Sequence, residues 1–168
     1  DTVASTQMNP SSEFMSWIEK NLLLFDSGIS HVSGDLHQEV WRKYSRGDQG
    51  IKDGLERIRH MAQEMLEAIQ SESPEYFTRS LHRASRSVNL LGKEFNEPFE
   101  KCLEPLQFGE SVMAWKVMGA GSGGVVGIVL NAGYDRKAVH ELEKAQGWAE
   151  IEWAIEHQGI VQEVNLHE

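Results

Sequence analysis

A single cysteine, Cys102, stands in 168 residues. It excludes an internal disulfide, and such sparing use of thiols fits a reducing compartment, so a cytoplasmic location is expected. Proline is scarce, with four residues, which leaves room for uninterrupted helices. No apolar run approaches the roughly 20 residues needed to span a bilayer. Positive charge is in deficit: 16 Lys and Arg against 26 Asp and Glu give a formal net charge of −10. Such a surface repels phosphate backbones and anionic lipid heads, so neither nucleic acid nor membrane is an expected partner. The chain opens at Asp1 with no initiator Met and no basic or apolar leader, and a boundary inside a longer protein is the expectation. The length suits one domain with a real core.

What is present is mostly helical punctuation. Thr2 to Met8 alternates weakly and is read as a short strand. Asn9-Pro10-Ser11-Ser12-Glu13 starts a helix with Phe14, Trp17 and Ile18 on one face. Asn21 to Phe25 is a short apolar run bounded by Asp26-Ser27-Gly28 and predicts a buried strand. Ser27 to Gly34, with three Ser and two Gly, predicts a loop, after which Asp35 caps a helix carrying Leu36, Val40 and Tyr44. Beyond Gly47-Asp48, the residues Ile51, Leu55, Ile58, Ala62, Met65 and Ile69 recur at steps of four and three. Ser73 as N-cap and Pro74 at the first position begin the next helix. Its seam is read as Phe77, Leu81, Ala84, Val88, Leu91 and Phe95, so the two helices form an antiparallel hairpin.

Glu97 to Leu106 is a further short helix. Ser111 to Met118 and Val125 to Leu130 are strand-like on either side of a glycine-rich turn. Asp135 caps a helix to about Ala145. Ile151, Trp153 and Ile155 then alternate with Glu152, Ala154 and Glu156, and Gln158-Gly159 turns the chain into Ile160 to Val164 as a closing hairpin. This order predicts an α+β fold: a ferredoxin-like split βαβ sheet with an inserted long helical hairpin and a C-terminal β-hairpin. Residues 1–20 form an N-terminal segment, and 21–168 the domain proper.

Gly119, Ala120, Gly121, Ser122, Gly123 and Gly124 form the most telling run. Gly119, Gly121 and Gly124 satisfy the G-x-G-x-x-G spacing of a dinucleotide fold. That loop must open a helix, however, whereas Val125-Val126-Gly127-Ile128-Val129-Leu130 follows here and favours a strand. No Gly-Lys-Ser/Thr ending makes it a Walker loop. A strand–glycine loop–strand has three readings: a wide hairpin turn, a cradle of N–H groups for an anion, or a backbone that presses closely on another loop.

The run Ala114-Trp115-Lys116-Val117-Met118-Gly119-Ala120-Gly121-Ser122-Gly123-Gly124 resembles the third conserved motif, G-A-K-x-x-G-A-G-G-G-G, of GHMP kinases. That family is named for galacto-, homoserine, mevalonate and phosphomevalonate kinases. Ala114 and Trp115 depart from the motif, as does Ser122, where glycine is usual. Leu22-Leu23-Leu24-Phe25-Asp26-Ser27-Gly28-Ile29-Ser30-His31-Val32-Ser33 resembles the L-L-x-x-Y-T-G-x-x-R-x-S stretch of the fucokinase and heptose-phosphate kinase branch. Gly28 and Ser33 match, Ser27 replaces threonine, Asp26 replaces tyrosine and His31 replaces arginine. Ile155-Glu156-His157-Gln158-Gly159-Ile160-Val161 is similar to that branch's terminal hairpin. The resemblance runs from about Asn21 to the end.

The resemblance implies the C-terminal domain of an ATP-dependent small-molecule kinase, with a sugar or sugar phosphate as acceptor. ATP and Mg2+ would belong to the complete enzyme. The phosphate-wrapping loop, the magnesium ligand and the catalytic aspartate would lie in an N-terminal domain, on the same or a separate chain, because no P-x-x-x-G-L-G-S-S-like run occurs here. This chain alone is then expected to be inactive. Gly119 to Gly124 would support the phosphate loop, and Ser27, Gly28, Ser30 and Ser33 would line the acceptor pocket. Lys116 would face phosphates or be a solvated strand residue.

Other candidates are plainer. Asp35 as a cap and a surface His37 explain the His31–Asp35–His37 cluster better than a metal site, which needs a full ligand set. His60 and His82 are read as solvated, Cys102 has no neighbouring histidine or basic cluster that would activate it, and the glutamates form a solvated face. The tryptophans are core or interface anchors. A stand-alone ferredoxin-like ligand-binding or regulatory module is the rival function, with a homodimer as its expected form.

Overall fold

A computed structural model describes residues 7–29, 33–108, 111–119, 121–131 and 136–157, without the side chains of Ser33, Asp35 and Phe108. The first helix, α1 (Ser12–Asn21), starts where its cap lies: the Ser11 hydroxyl accepts the Phe14 N–H at 3.2 Å. The chain then runs directly into β1 (Leu22–Asp26). Helices α2 (Ser33–Ser45), α3 (Gln49–Gln70), α4 (Pro74–Val88) and α5 (Glu97–Phe108) follow. A 3-10 turn, Lys93–Phe95, separates the last two. The hairpin β2 (Val112–Val117) and β3 (Val125–Leu130), helix α6 (Lys137–Gln146) and strand β4 (Ala149–Ile151) complete the order.

The four strands make one antiparallel sheet in the order β2-β3-β1-β4. Leu23 lies opposite Ile128, Trp115 opposite Ile128 on the other side, and Leu24 opposite Ile151. The sheet therefore has the split βαβ topology: β3 lies between β1 and β2, and the expected α+β class is the one observed. Side chains alternate across it. Leu23, Phe25, Trp115, Val117, Val126, Ile128 and Leu130 project to one face, where Phe99 and Leu103 of α5, Val139 of α6 and Trp148 meet them. Ala114, Val129 and Leu22 project to the other, against Phe14 of α1, Ala68 of α3, and Phe77 and Leu81 of α4. Helices on both faces explain why β3 is an unbroken apolar run with no polar alternation.

The hairpin α3–α4 begins as its sequence dictates. Asp48 caps α3 by accepting the Ile51 N–H at 3.0 Å, and Ser73 caps α4 by accepting the Tyr76 N–H at 3.2 Å, with Pro74 in the first turn. The expectation that α4 continues through Phe95 fails. It ends at Val88, where the Ser87 and Val88 carbonyls accept the N–H groups of Leu90 and Leu91 three residues on. Asn96 fixes the bend, donating 2.7 Å to the Ser85 carbonyl and 2.8 Å to Asn89 Oδ1. Leu91 and Phe95 thereby leave the α4 seam and join Val40, Ile51 and Leu55 in a small core under α2.

Other expectations are also corrected. Helix α2 starts at Ser33, two residues before the anticipated cap at Asp35. Strand β4 stops at Ile151. The segment beyond it is held by Trp153 Nε1 donating to the Leu22 carbonyl at 3.1 Å and by the Ile155 N–H donating to Glu19 at 2.8 Å, with no ladder. Glu64 is buried, not solvated, and pairs with Arg83 at 2.9 Å. His82 is half-buried, not solvated: its Nδ1 lies 3.1 Å from Gln107 Nε2, a donor, so Nδ1 accepts and the ring proton sits on Nε2. The strand expected within Thr2 to Met8, the Asp135 cap and the hairpin through Gln158-Gly159 to Val164 lie outside the described residues, wholly or, for the first, up to Thr6. Among the described residues no helix is long and apolar enough to cross a membrane.

Candidate functional site

The glycine-rich segment joins two strands and opens no helix, so the dinucleotide reading is excluded by its setting. Its backbone visits the left-handed region repeatedly: φ is +66° at Gly119, +84° at Gly121, +66° at Ser122 and +72° at Gly124. Glycine accepts such angles freely, while an L side chain is strained there by about 1–2 kcal/mol. Ser122 is the departure from an all-glycine run, and its bonds offset that strain. Its N–H donates 2.8 Å to the Phe95 carbonyl, and its hydroxyl donates 3.2 Å to the Glu94 carbonyl. The side chain is buried against the 3-10 turn.

Gly121 has a steric reason as well. A Cβ there would lie 2.8 Å from Phe95 Cδ1, closer than carbon atoms approach. Phe95, itself almost wholly buried, is thus the wedge on which the middle of the loop rests. At Gly119, Gly124 and Gly28, by contrast, an added Cβ would meet nothing within 4 Å, yet each has positive φ. These three present bare backbone to open space.

The loop does not stand alone. The Gly124 N–H donates 3.1 Å to the Ile29 carbonyl, while the Gly124 carbonyl accepts both the Ser27 N–H at 3.0 Å and the Ser27 hydroxyl at 2.7 Å. Ser27 is buried, and its oxygen also accepts the Ile29 N–H at 3.3 Å. Asp26 accepts the Gly28 N–H at 2.9 Å and fixes the tight turn that follows β1. Two segments 97 residues apart are thus laced into one cluster at a single end of the sheet. The N–H groups of Ser122 and Gly124 are spent inward. That favours a close-approach surface over a continuous anion cradle.

Of the residues singled out from sequence, Ser27, Gly28, Gly119, Gly121, Ser122, Gly123 and Gly124 are brought together here. Ser27 is committed to the Gly124 carbonyl and so serves as a brace. Ser33 is the first residue of α2. Ser30, His31 and Ala120 lie outside the described residues. Lys116 projects from β2 on the hairpin face of the sheet, opposite Gly127, and its ammonium donates 2.7 Å to the Val117 carbonyl. Burial pulls its pKa below the ordinary lysine value. His37 is exposed, with its ring 5.9 Å from that of Phe95. Burial raises the Cys102 thiol pKa, which leaves it a poor nucleophile.

Phe95 is the residue that sequence reasoning placed wrongly. Its signal was Gly92, a helix breaker in the middle of the supposed seam.

No protein-family profile and no curated protein matches the sequence. Solved structures do match in fold. The mevalonate kinase of L. major, solved with R-mevalonate bound, superposes with a TM-score of 0.58 at 16% identity, over 74% of this chain and 37% of that one. The Lin0012 protein of Listeria innocua gives a TM-score of 0.62 at 16% identity, over 77% of this chain and 38% of that one. The chain therefore spans under two fifths of the length of these similar proteins, and it shares its fold with part of a mevalonate kinase.

Proposed function

We propose that this chain is the acceptor-side, C-terminal domain of an ATP-dependent small-molecule kinase of GHMP type, acting on a sugar or sugar phosphate. The observation that carries the reading is the lacing of the glycine loop to the serine-bearing turn through Gly124, Ser27 and Ile29, within a fold shared with part of a mevalonate kinase. Phosphoryl transfer demands positioning and charge stabilisation more than covalent help from the protein. A side-chain-free surface suits that task, because bare backbone at Gly28, Gly119 and Gly124 lets a second loop approach without steric conflict.

In this reading the N-terminal domain holds ATP and Mg2+. The segment Gly119, Ala120, Gly121, Ser122, Gly123 and Gly124 backs its phosphate loop. Gly28, Ser30 and Ser33 line the acceptor pocket, and Ser27 braces the two segments against each other. Lys116 acts as a framework residue, since its ammonium is bonded to the Val117 carbonyl. The chain by itself transfers no phosphoryl group.

The test begins with the intact mass of the native product in its source. A species well above this chain's 19.0 kDa, releasing ADP from ATP when offered a panel of sugars, is the expected result. A native 19.0 kDa species with no kinase partner would overturn the reading and favour a stand-alone module.

A further inference from the structure

Only Gly147 and Trp148 separate helix α6 from strand β4, and this short link sets three metal-ligating side chains side by side. His140 and Glu143, three residues apart, share one face of the helix. Gly147 ends the helix in the left-handed region, at φ +69°, and the Gly147 and Trp148 N–H groups both donate to the Glu143 carbonyl. The chain turns there into β4, where Glu150 lies opposite Phe25 in the ladder with β1. Trp148 pins the turn: it is buried, with its ring 6.3 Å from that of Phe25 and 5.8 Å from that of Phe99. As a result, an imidazole nitrogen of His140 and one carboxylate oxygen from each of Glu143 and Glu150 all lie within 4.8 Å of one another. His140 Nδ1 is 3.0 Å from Glu143 Oε2.

We infer that His140, Glu143 and Glu150 form a binding site for a divalent transition-metal ion, zinc above all, which clasps α6 to the edge strand β4 and keeps its fourth position for water. Zinc bonds such nitrogen and oxygen atoms at about 2.0–2.2 Å in a tetrahedral site, which spaces its donors about 3.3–3.6 Å apart. The three side chains stand near that spacing already, so small rotations of the glutamates complete it. The donor set decides the class of ion. A neutral imidazole with two carboxylates suits zinc and its neighbours and balances a dication, whereas magnesium and calcium prefer oxygen alone.

Two further features favour the site. Its ligands come from two elements whose backbones are fixed independently, one by helical bonds and one by the ladder with β1, so the donors are held in place before the ion arrives. The chain's net charge of −10 also draws cations to it. Arg136 competes, with Nη1 3.7 Å from Glu150 Oε1, but that pair is partly exposed, and such pairs are weakly held. None of the three ligands belongs to the loop cluster, so the inference is independent of the kinase reading.

The test is calorimetric titration of the chelator-treated chain with zinc chloride. One ion per chain is expected, and zinc at about a hundred times its dissociation constant should raise the melting temperature by about 5 °C or more. His140→Gln and Glu150→Gln should each weaken zinc binding about tenfold or more. Both sites are partly exposed, so without metal both variants should melt within about 2 °C of the parent. In the parent chain, zinc should shift the ring-nitrogen resonances of His140 ahead of those of the other histidines, and excess magnesium should leave them shifted. Zinc binding that survives His140→Gln, an unshifted His140 ring, or displacement of zinc by magnesium would each overturn the site.

Discussion

The α3–α4 hairpin and the loop cluster at the end of the sheet are stabilised by different parts of the chain. The hairpin is held by side chains: Phe77 and Leu81 pack with Phe14, Ala68 and Val129, and the Phe77 ring meets both Phe14 and Trp17 edge to face. The loop cluster is held by main chain: the bonds of Ser122 and Gly124, and four positive φ angles between Gly119 and Gly124. The first region fills space, so it resists removal of atoms. The second leaves space, so it resists their addition. A site meant to receive another loop needs the second kind of construction.

Substitutions can break this contrast. The largest effect is expected in the hairpin, where Phe77→Ala should cost about 3–5 kcal/mol in urea unfolding. A loss below about 1 kcal/mol would mean that the three-ring cluster is not a true core. Gly121→Val should cost about 1–2 kcal/mol for its left-handed backbone and a further 1–3 kcal/mol or so for crowding Phe95. If its stability matched the parent chain, the loop would not rest on Phe95.

A smaller, pH-dependent effect is expected at His82, on α4 beside Gln107 of α5. Burial first, and Arg86 second, hold its imidazole below the ordinary value of 6.5. The unfolded chain therefore takes up this proton first as the pH falls. The stability His82 confers is complete above pH 6.5 and is lost below it, toward the folded-state value. His82→Gln should flatten the fall of melting temperature between pH 6.5 and the carboxylate range near 4. Parallel slopes for the two proteins would contradict this.

The same contrast explains what was legible in the amino acids. The cap at Ser73, with Pro74 at the first position, and the seam residues Phe77 and Leu81 are local patterns, and they were readable to the residue. The bend at Asn89 was not, because Leu91 and Phe95 continue the helical spacing by coincidence; Gly92 was its local sign, and the Asn96 bonds to Ser85 and Asn89 are what fix it. In the loop cluster the glycines were visible. Their link to Ser27, across 97 residues, entered only through a family resemblance. Nothing in periodicity shows that Ser27 spends its hydroxyl on the Gly124 carbonyl, or that the Lys116 ammonium bonds the Val117 carbonyl.

Gly119 gives the most direct test of what the loop is for, because an added methyl there meets open space within this chain. Gly119→Ala should cost the isolated chain only about 1–2 kcal/mol of backbone strain. On the proposed function, the same change in the longer kinase should lower the rate of ADP release in the presence of its acceptor at least tenfold. A full-length Gly119→Ala protein that is folded and turns over at the parental rate would remove the glycine loop from the phosphate site, and the kinase account with it.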